Sequence, residues 1–201
     1  VTTLFAQQNK LTIGIEAGPN YAFMGLKSFG YDPAINFSLG APVQFNISKL
    51  FSVHTGLAFE RKGRQSTVVL TDNNAIKIGE STNKDNFDYA YIPLLARFGI
   101  GNKVRAFANA GFFYGYLYSK WYQVDNGPHI VNRSSFQYYD AGFSIGIGTE
   151  ISLAKQLQIS LEVRNNKGFI ELDKYSYPRN YTSQSVNCLL GIAYKLVPTE
   201  E

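Results

Sequence analysis

The chain has 201 residues, with 19 basic and 15 acidic side chains and a formal charge of +4. Its charged fraction of 17% lies below the roughly 25% of soluble globular domains, while aromatic residues reach 15%. The length fits one domain, the scattered basic residues exclude a nucleic-acid-binding block, and the single cysteine excludes an internal disulfide.

The first residues, Val1 to Gln8, read as a signal-peptide remnant with a small residue, Ala6, at a cleavage position, or as a disordered tail. Residues 9–201 then read as a single domain. A first strand is predicted from Lys10 to Ala17, with Leu11, Ile13 and Ile15 opposite Thr12, Gly14 and Glu16. The second, Ile35 to Ile47, has an apolar residue at every odd position and a small or polar one at every even position. Because successive side chains of a strand point to opposite faces, such a run has one oily face and one hydrophilic face. After the short Ser48-Lys49-Leu50 connection, a third strand from Phe51 to Lys62 sets Phe51, Val53, Leu57 and Phe59 against Ser52, His54, Glu60 and Lys62.

The fourth strand, Asp88 to Ile100, alternates Ile92, Leu94, Ala96 and Phe98 with Tyr91 and Arg97, and its Pro93 marks a bulge or an edge. A fifth runs from Val104 to Tyr118 and a sixth from Phe136 to Ile151, where Asp140, Ser144 and Glu150 alternate with Tyr139, Phe143, Ile145 and Ile147. The seventh, Leu157 to Asn166, and the eighth, Ser183 to Leu196, repeat the pattern, with Cys188 on the apolar face as a small hydrophobe. Three connections are a few residues long. The other four, roughly 18–34, 63–87, 119–135 and 167–182, are long and rich in Gly, Asn, Ser, Tyr and Lys.

No run of 18 consecutive apolar residues is present, so a transmembrane helix is excluded, whereas strands of about ten residues cross a bilayer when tilted. The reading is an all-β protein: an eight-stranded, antiparallel, up-and-down transmembrane β-barrel with short periplasmic turns and long extracellular loops. The alternation does not say which face lines the barrel. A soluble barrel would cover its outside with Lys and Glu, but here the polar face is mostly Gly, Ser, Asn and Thr with scattered charges of both signs, which suits a narrow lumen.

A compensated lumen network is therefore expected from Glu16, Glu60, Lys62, Arg97, Arg105, Asp140, Glu150, Glu162, Arg164 and Lys195, plugging a barrel too narrow for a wide pore. Tyr114, Tyr116, Tyr118, Trp121, Tyr122, Tyr138 and Tyr139 gather toward the loop side, and Phe51, Phe98 and Tyr194 toward the turn side, as headgroup-level belts do. Candidate recognition side chains on the loops are Trp121, Tyr122, Tyr175, Tyr177, Arg179 and Tyr181, the alternative being that such Tyr-rich loops fold over the barrel mouth.

Signals of catalysis are sparse. His54 with Ser52 or Glu60 is a conceivable hydrolytic pair, against a hydrogen-bonding role in the lumen. His129 has no neighbouring metal-ligand spacing. The series Gly142, Gly146 and Gly148 lies within a strand with no helix after it, so it packs the lumen and cradles no phosphate. No cofactor is expected.

Three segments carry a family likeness: Thr55-Gly56-Leu57-Ala58-Phe59-Glu60-Arg61-Lys62-Gly63, Tyr91-Ile92-Pro93-Leu94-Leu95-Ala96-Arg97-Phe98 and Gly142-Phe143-Ser144-Ile145-Gly146-Ile147-Gly148. Together they resemble the PorT-like outer-membrane barrel family, in the OmpA/OmpX-type eight-stranded architecture. The final strand, with Gly191, Tyr194 and Leu196, resembles the signal read by barrel-assembly machinery, although Leu196 replaces the common terminal Phe. The resemblance implies a bacterial outer-membrane location with both termini periplasmic, and roles in secretion or larger envelope assemblies. The functional expectation is a non-enzymatic structural or accessory subunit that contacts outer-membrane lipid and an envelope protein partner through its loops or wall. A small channel is the alternative, and a lipid-modifying enzyme a third.

Overall fold

The computed structural model describes residues 11–24, 31–174 and 181–196. The tail at 1–8, Tyr175, Tyr177, Arg179 and the extension after Leu196 lie outside the described residues. Nine strands are formed among the described residues: β1 (Leu11–Met24), β2 (Asp32–Asn46), β3 (Phe51–Thr71), β4 (Lys77–Gly101), β5 (Val104–Val124), β6 (Ile130–Val131), β7 (Tyr139–Ser152), β8 (Leu157–Gly168) and β9 (Ser183–Leu196). Eight of them close a ring. The order β4-β3-β2-β1-β9-β8-β7-β5 is completed by pairing of β4 with β5, and every pair is antiparallel. The two-residue β6 only adds to the margin of β5, at Trp121 and Tyr122.

The expected face assignment holds. Phe37, Leu39 and Ile145 are each about half exposed on the outer wall, while Glu150 and Glu162 are buried in the middle. From Phe51 to Arg61, β3 rises through ten residue steps; at about 3.3 Å per step and a tilt of about 40°, the climb is about 25 Å, the height of an apolar membrane band. Outward Phe51 and Phe98 sit at one end of this interval, and outward Tyr116, Tyr118 and Tyr139 near the other.

Several expected bounds are corrected: β1 continues to Met24 past its expected end at Ala17, β2 starts at Asp32 ahead of Ile35, and β7 starts at Tyr139 and not at Phe136. The stretch 63–87 is not a loop, because β3 continues to Thr71 and β4 begins at Lys77 around a tight Asp72–Ile76 turn. In that turn the backbone amides of Asn74 and Ile76 donate to Asp72 Oδ1 at 2.8 and 2.9 Å, and Ala75 adopts φ 61°. Beyond the bilayer both faces of a hairpin meet water, so strand formation no longer demands alternation, and the polar sequence there hides it. Likewise β5 runs on to Val124, past its expected end at Tyr118.

Pro93 also behaves differently from expectation. It pairs with Phe113 of β5 without a register shift; the bulge lies at Asp88/Tyr89 instead. On its other side the ladder passes from Thr55–Leu94 to Ala58–Tyr91, leaving the missing proline N–H without a ladder partner to disappoint. Gly56, opposite this interval, takes φ +145° and admits the carbonyl of Ala41 to within 2.3 Å of where a Cβ would stand, so only glycine fits.

Candidate functional site

The lumen is filled by side chains from the inward positions of every spanning strand. Near the turn end, Arg105 Nη1 donates to Glu150 Oε1 at 3.0 Å, and Arg97 lies 3.7 Å from the other oxygen of Glu150. Arg97 also donates to Gln44 and Asn109 at 3.0 and 2.8 Å and to Glu162 at 3.0 Å, with its guanidinium 4.0 Å from the Phe107 ring centroid. Arg164 grips Glu162 from the same strand at 2.6 and 2.9 Å and reaches Glu16 across the barrel at 3.1 Å.

Higher up, Glu60 accepts from Asn166 at 3.3 Å, Asn187 at 3.2 Å and the hydroxyl of Ser185. Its partners are neutral, yet three donors supply much of what water would. Lys62, almost fully buried, donates to Asp140 at 2.9 Å and Ser183 at 3.0 Å and stands over the Phe113 ring at 4.8 Å. Nine of the ten expected network residues thus line one continuous column. Lys195 is the exception: its ammonium donates to Ser152 at 3.3 Å, at the turn-side mouth.

Glycine makes the column dense. A Cβ on Gly146 would stand 2.6 Å from Glu162 Oε1, and one on Gly99 would stand 2.8 Å from Arg105 Nε. These positions look vacant in sequence. In the barrel they are the space that carboxylate and guanidinium occupy.

Residues not foreseen complete the seal at the loop end. Arg64 Nε donates to Asp85 at 2.9 Å and Lys120 lies 2.8 Å from the same carboxylate. Arg64 continues the even-numbered polar face after Glu60 and Lys62, a parity signal that the polar sequence of 63–87 masks. Above lies an apolar cluster of Met24, Phe87, Tyr89, Leu117, Leu172 and Tyr181, with Phe136 packed against it. Tyr181, one of the recognition candidates, is buried instead, and its ring fills the barrel mouth as the alternative reading of the loops has it. Burial pushes its phenol well above the usual tyrosine range, against the opposing pull of the Arg64 guanidinium.

Two small voids lie along the column among the described residues. One of about 20 Å³ lies beside His54 and one of about 10 Å³ beside Glu60 and Tyr91, each about the room of a single water. At the turn end a polar vestibule of about 320 Å³ opens, lined by Lys49, Arg105, Glu150, Gln158 and Lys195 among others.

His54 is buried within the column, 3.9 Å from Glu16, and is not hydrogen-bonded to Ser52 or Glu60 among the described residues. The carboxylate nearest to it is thus not the one a hydrolytic pair was expected to use. His129 stacks on Trp121 at 4.2 Å, and no metal-type cluster of His, Cys, Asp and Glu occurs among the described residues. Trp121 and Tyr122 are half-buried: the first meets Arg61 at 5.2 Å on the outer wall, and the second lies 5.3 Å from Lys120 Nζ. Cys188 is exposed on the outer wall.

Comparison with known proteins agrees with this architecture. A family model described as an outer membrane protein beta-barrel domain matches residues 5–174. The crystal structure of Neisserial surface protein A resembles the fold with a TM-score of 0.53 at 12% identity, over 93% of this chain and 97% of that one. Ail, the attachment invasion locus protein of Yersinia pestis, gives 0.47 at 13% identity, over 91% and 97%. Outer membrane protein W of E. coli gives 0.45 at 11% identity, over 96% and 100%. No curated protein matches the chain.

Proposed function

From the premise that this chain belongs to the outer membrane protein beta-barrel domain family and sits in the bacterial outer membrane, we propose that it is a non-enzymatic accessory subunit that binds an envelope protein partner. Its short turns face the periplasm, as do its termini, and its long hairpin faces outward. The PorT-like sequence resemblance supports a place in a secretion or transport assembly.

The observation that carries the reading is the β3–β4 hairpin. Beyond Gln65 and before Ser81, these strands pair only with each other among the described residues, so both backbone edges are open there; Thr82, at the base, is tied to Asp125. Val68, Val69, Leu70, Ile76 and Ile78 are exposed there, and adjacent Val68 and Val69 point to opposite faces. A water-facing hairpin with apolar side chains on both faces cannot cover them on its own barrel. A partner can, by adding a strand or clasping the tip.

Affinity purification from native membranes in mild detergent tests this. Wild type retains a stoichiometric companion, and a Val69→Asp/Ile78→Asp variant loses it by about tenfold or more. Isolation of the lone wild-type chain, or a companion indifferent to the variant, defeats the proposal.

The turn-side vestibule favours a second reading, a small channel, but the ion-paired column stands across its path. In planar bilayers the wild-type protein is expected to give no stepwise current. Regular current steps would favour the channel.

A further inference from the structure

The outer wall is not uniformly studded with large side chains. Between β1 and β5 it carries an apolar groove of about 490 Å³, lined by Ile15, Leu39, Ala41, Leu57, Phe59 and Ala90 among others. Register explains it: Leu39 pairs with Phe59 and Phe59 with Ala90, so a small residue stands beside two large ones on the same outward row. The groove is a furrow because Ala41 and Ala90 leave room that leucine occupies elsewhere.

At its loop-side end the same wall carries a cation. Arg61, next outward position after Phe59, donates through Nε and Nη2 to Asp88 at 2.6 and 3.0 Å, leaving Nη1 outside the pair. Its guanidinium lies 5.4 Å from the Phe37 ring, 5.8 Å from Phe59 and 5.2 Å from Trp121. The arginine side chain is 27% exposed and the carboxylate behind it 7%, so a headgroup approaching along the wall meets the guanidinium first. A charge on a lipid-facing wall is tolerated near the interface and not at the midplane. Arg61 therefore stands at headgroup depth, directly over the end of a channel for hydrocarbon, with Phe59 forming part of both.

We propose that this groove is a specific lipid site: it holds one acyl chain of a phosphate-bearing membrane lipid whose phosphate is bound by Arg61. Aromatic rings around the guanidinium hold its plane, and the free N–H edge completes a charge-assisted hydrogen bond to a phosphate oxygen. The inference rests on the outer wall facing lipid and is independent of the hairpin partner.

The test is native mass spectrometry of the full chain released from nanodiscs of palmitoyl-oleoyl phosphatidylglycerol, or of a galactosyl diacylglycerol with the same chains and no phosphate. Wild type is expected to retain one phosphatidylglycerol. Ala90→Leu fills the groove and lowers retention about tenfold, the worth of roughly two buried methylenes, whereas Ala110→Leu, the same enlargement on the exposed wall of β5, does not. Arg61→Gln lowers phosphatidylglycerol retention to the level of the galactolipid and leaves the galactolipid unchanged. Equal retention by the two alanine variants, or an Arg61→Gln effect blind to headgroup, overturns the proposal. Heat-modified gel mobility verifies folding of each variant, and the hairpin companion co-purifies undiminished with both, so the two proposals fail separately.

Discussion

Replacing Arg164 with methionine is expected to lower the unfolding free energy of the barrel by about 3–5 kcal/mol, the cost of leaving buried charge without its partner. Arg164 is among the largest fully buried side chains, and it holds two carboxylates, Glu16 and Glu162. Methionine fills much of the same volume, so the loss comes from charge and not from a cavity. Glu162 keeps Arg97 at 3.0 Å and Asn109 at 2.9 Å, while Glu16 is left with His54 at 3.9 Å. Urea unfolding in lipid vesicles, followed by the fluorescence of the single tryptophan, Trp121, measures the change. The triple variant Glu16→Gln/Glu162→Gln/Arg164→Met should recover most of it, since removing a whole buried ion cluster is far milder than breaking one. A loss under about 1 kcal/mol, the value of a solvated surface pair, would show that the column is wet.

A charge on the other face acts by a different route. Leu94 stands outward on β4, opposite Thr55 of β3 and near the middle of the apolar band. Leu94→Arg should destabilise the barrel in vesicles by about 2–4 kcal/mol, the penalty for a cation at the bilayer midplane. Ile78→Arg, on an equally exposed isoleucine of the hairpin, should change stability by no more than about 0.5 kcal/mol, as surface substitutions do. Equal effects at the two sites would mean that the wall meets water at both. The contrast separates membrane depth from exposure, because both side chains are exposed to a similar degree.

Much of this architecture is legible in the chain. Alternation such as that from Ile35 to Ile47 needs only a period of two, and the short connections at Ser48 to Leu50 and Ala154 to Gln156 reveal which end carries turns. The list of lumen residues follows by the same parity. Parity fails where its cause is absent: the hairpin from Ser66 to Thr82 has no buried face to record, and Arg64 and Asp85 were hidden with it. Sequence leaves Tyr181 undecided for a related reason, since an aromatic residue in a loop looks the same whether it faces solvent or folds over a barrel mouth.

What the sequence by itself determined is therefore which way each spanning side chain points, because that is a local property of the extended backbone and travels with every second residue. What only the tertiary structure decided is who meets whom. Glu16 and Arg164 are 148 positions apart and join because ring closure brings β1 and β8 to the same height of the lumen. Glu60 ends among neutral amides and Lys195 at the mouth, although both belong to the same polar face. Stagger and curvature of the closed sheet set those distances, and they are properties of the ring as a whole, not of any strand within it.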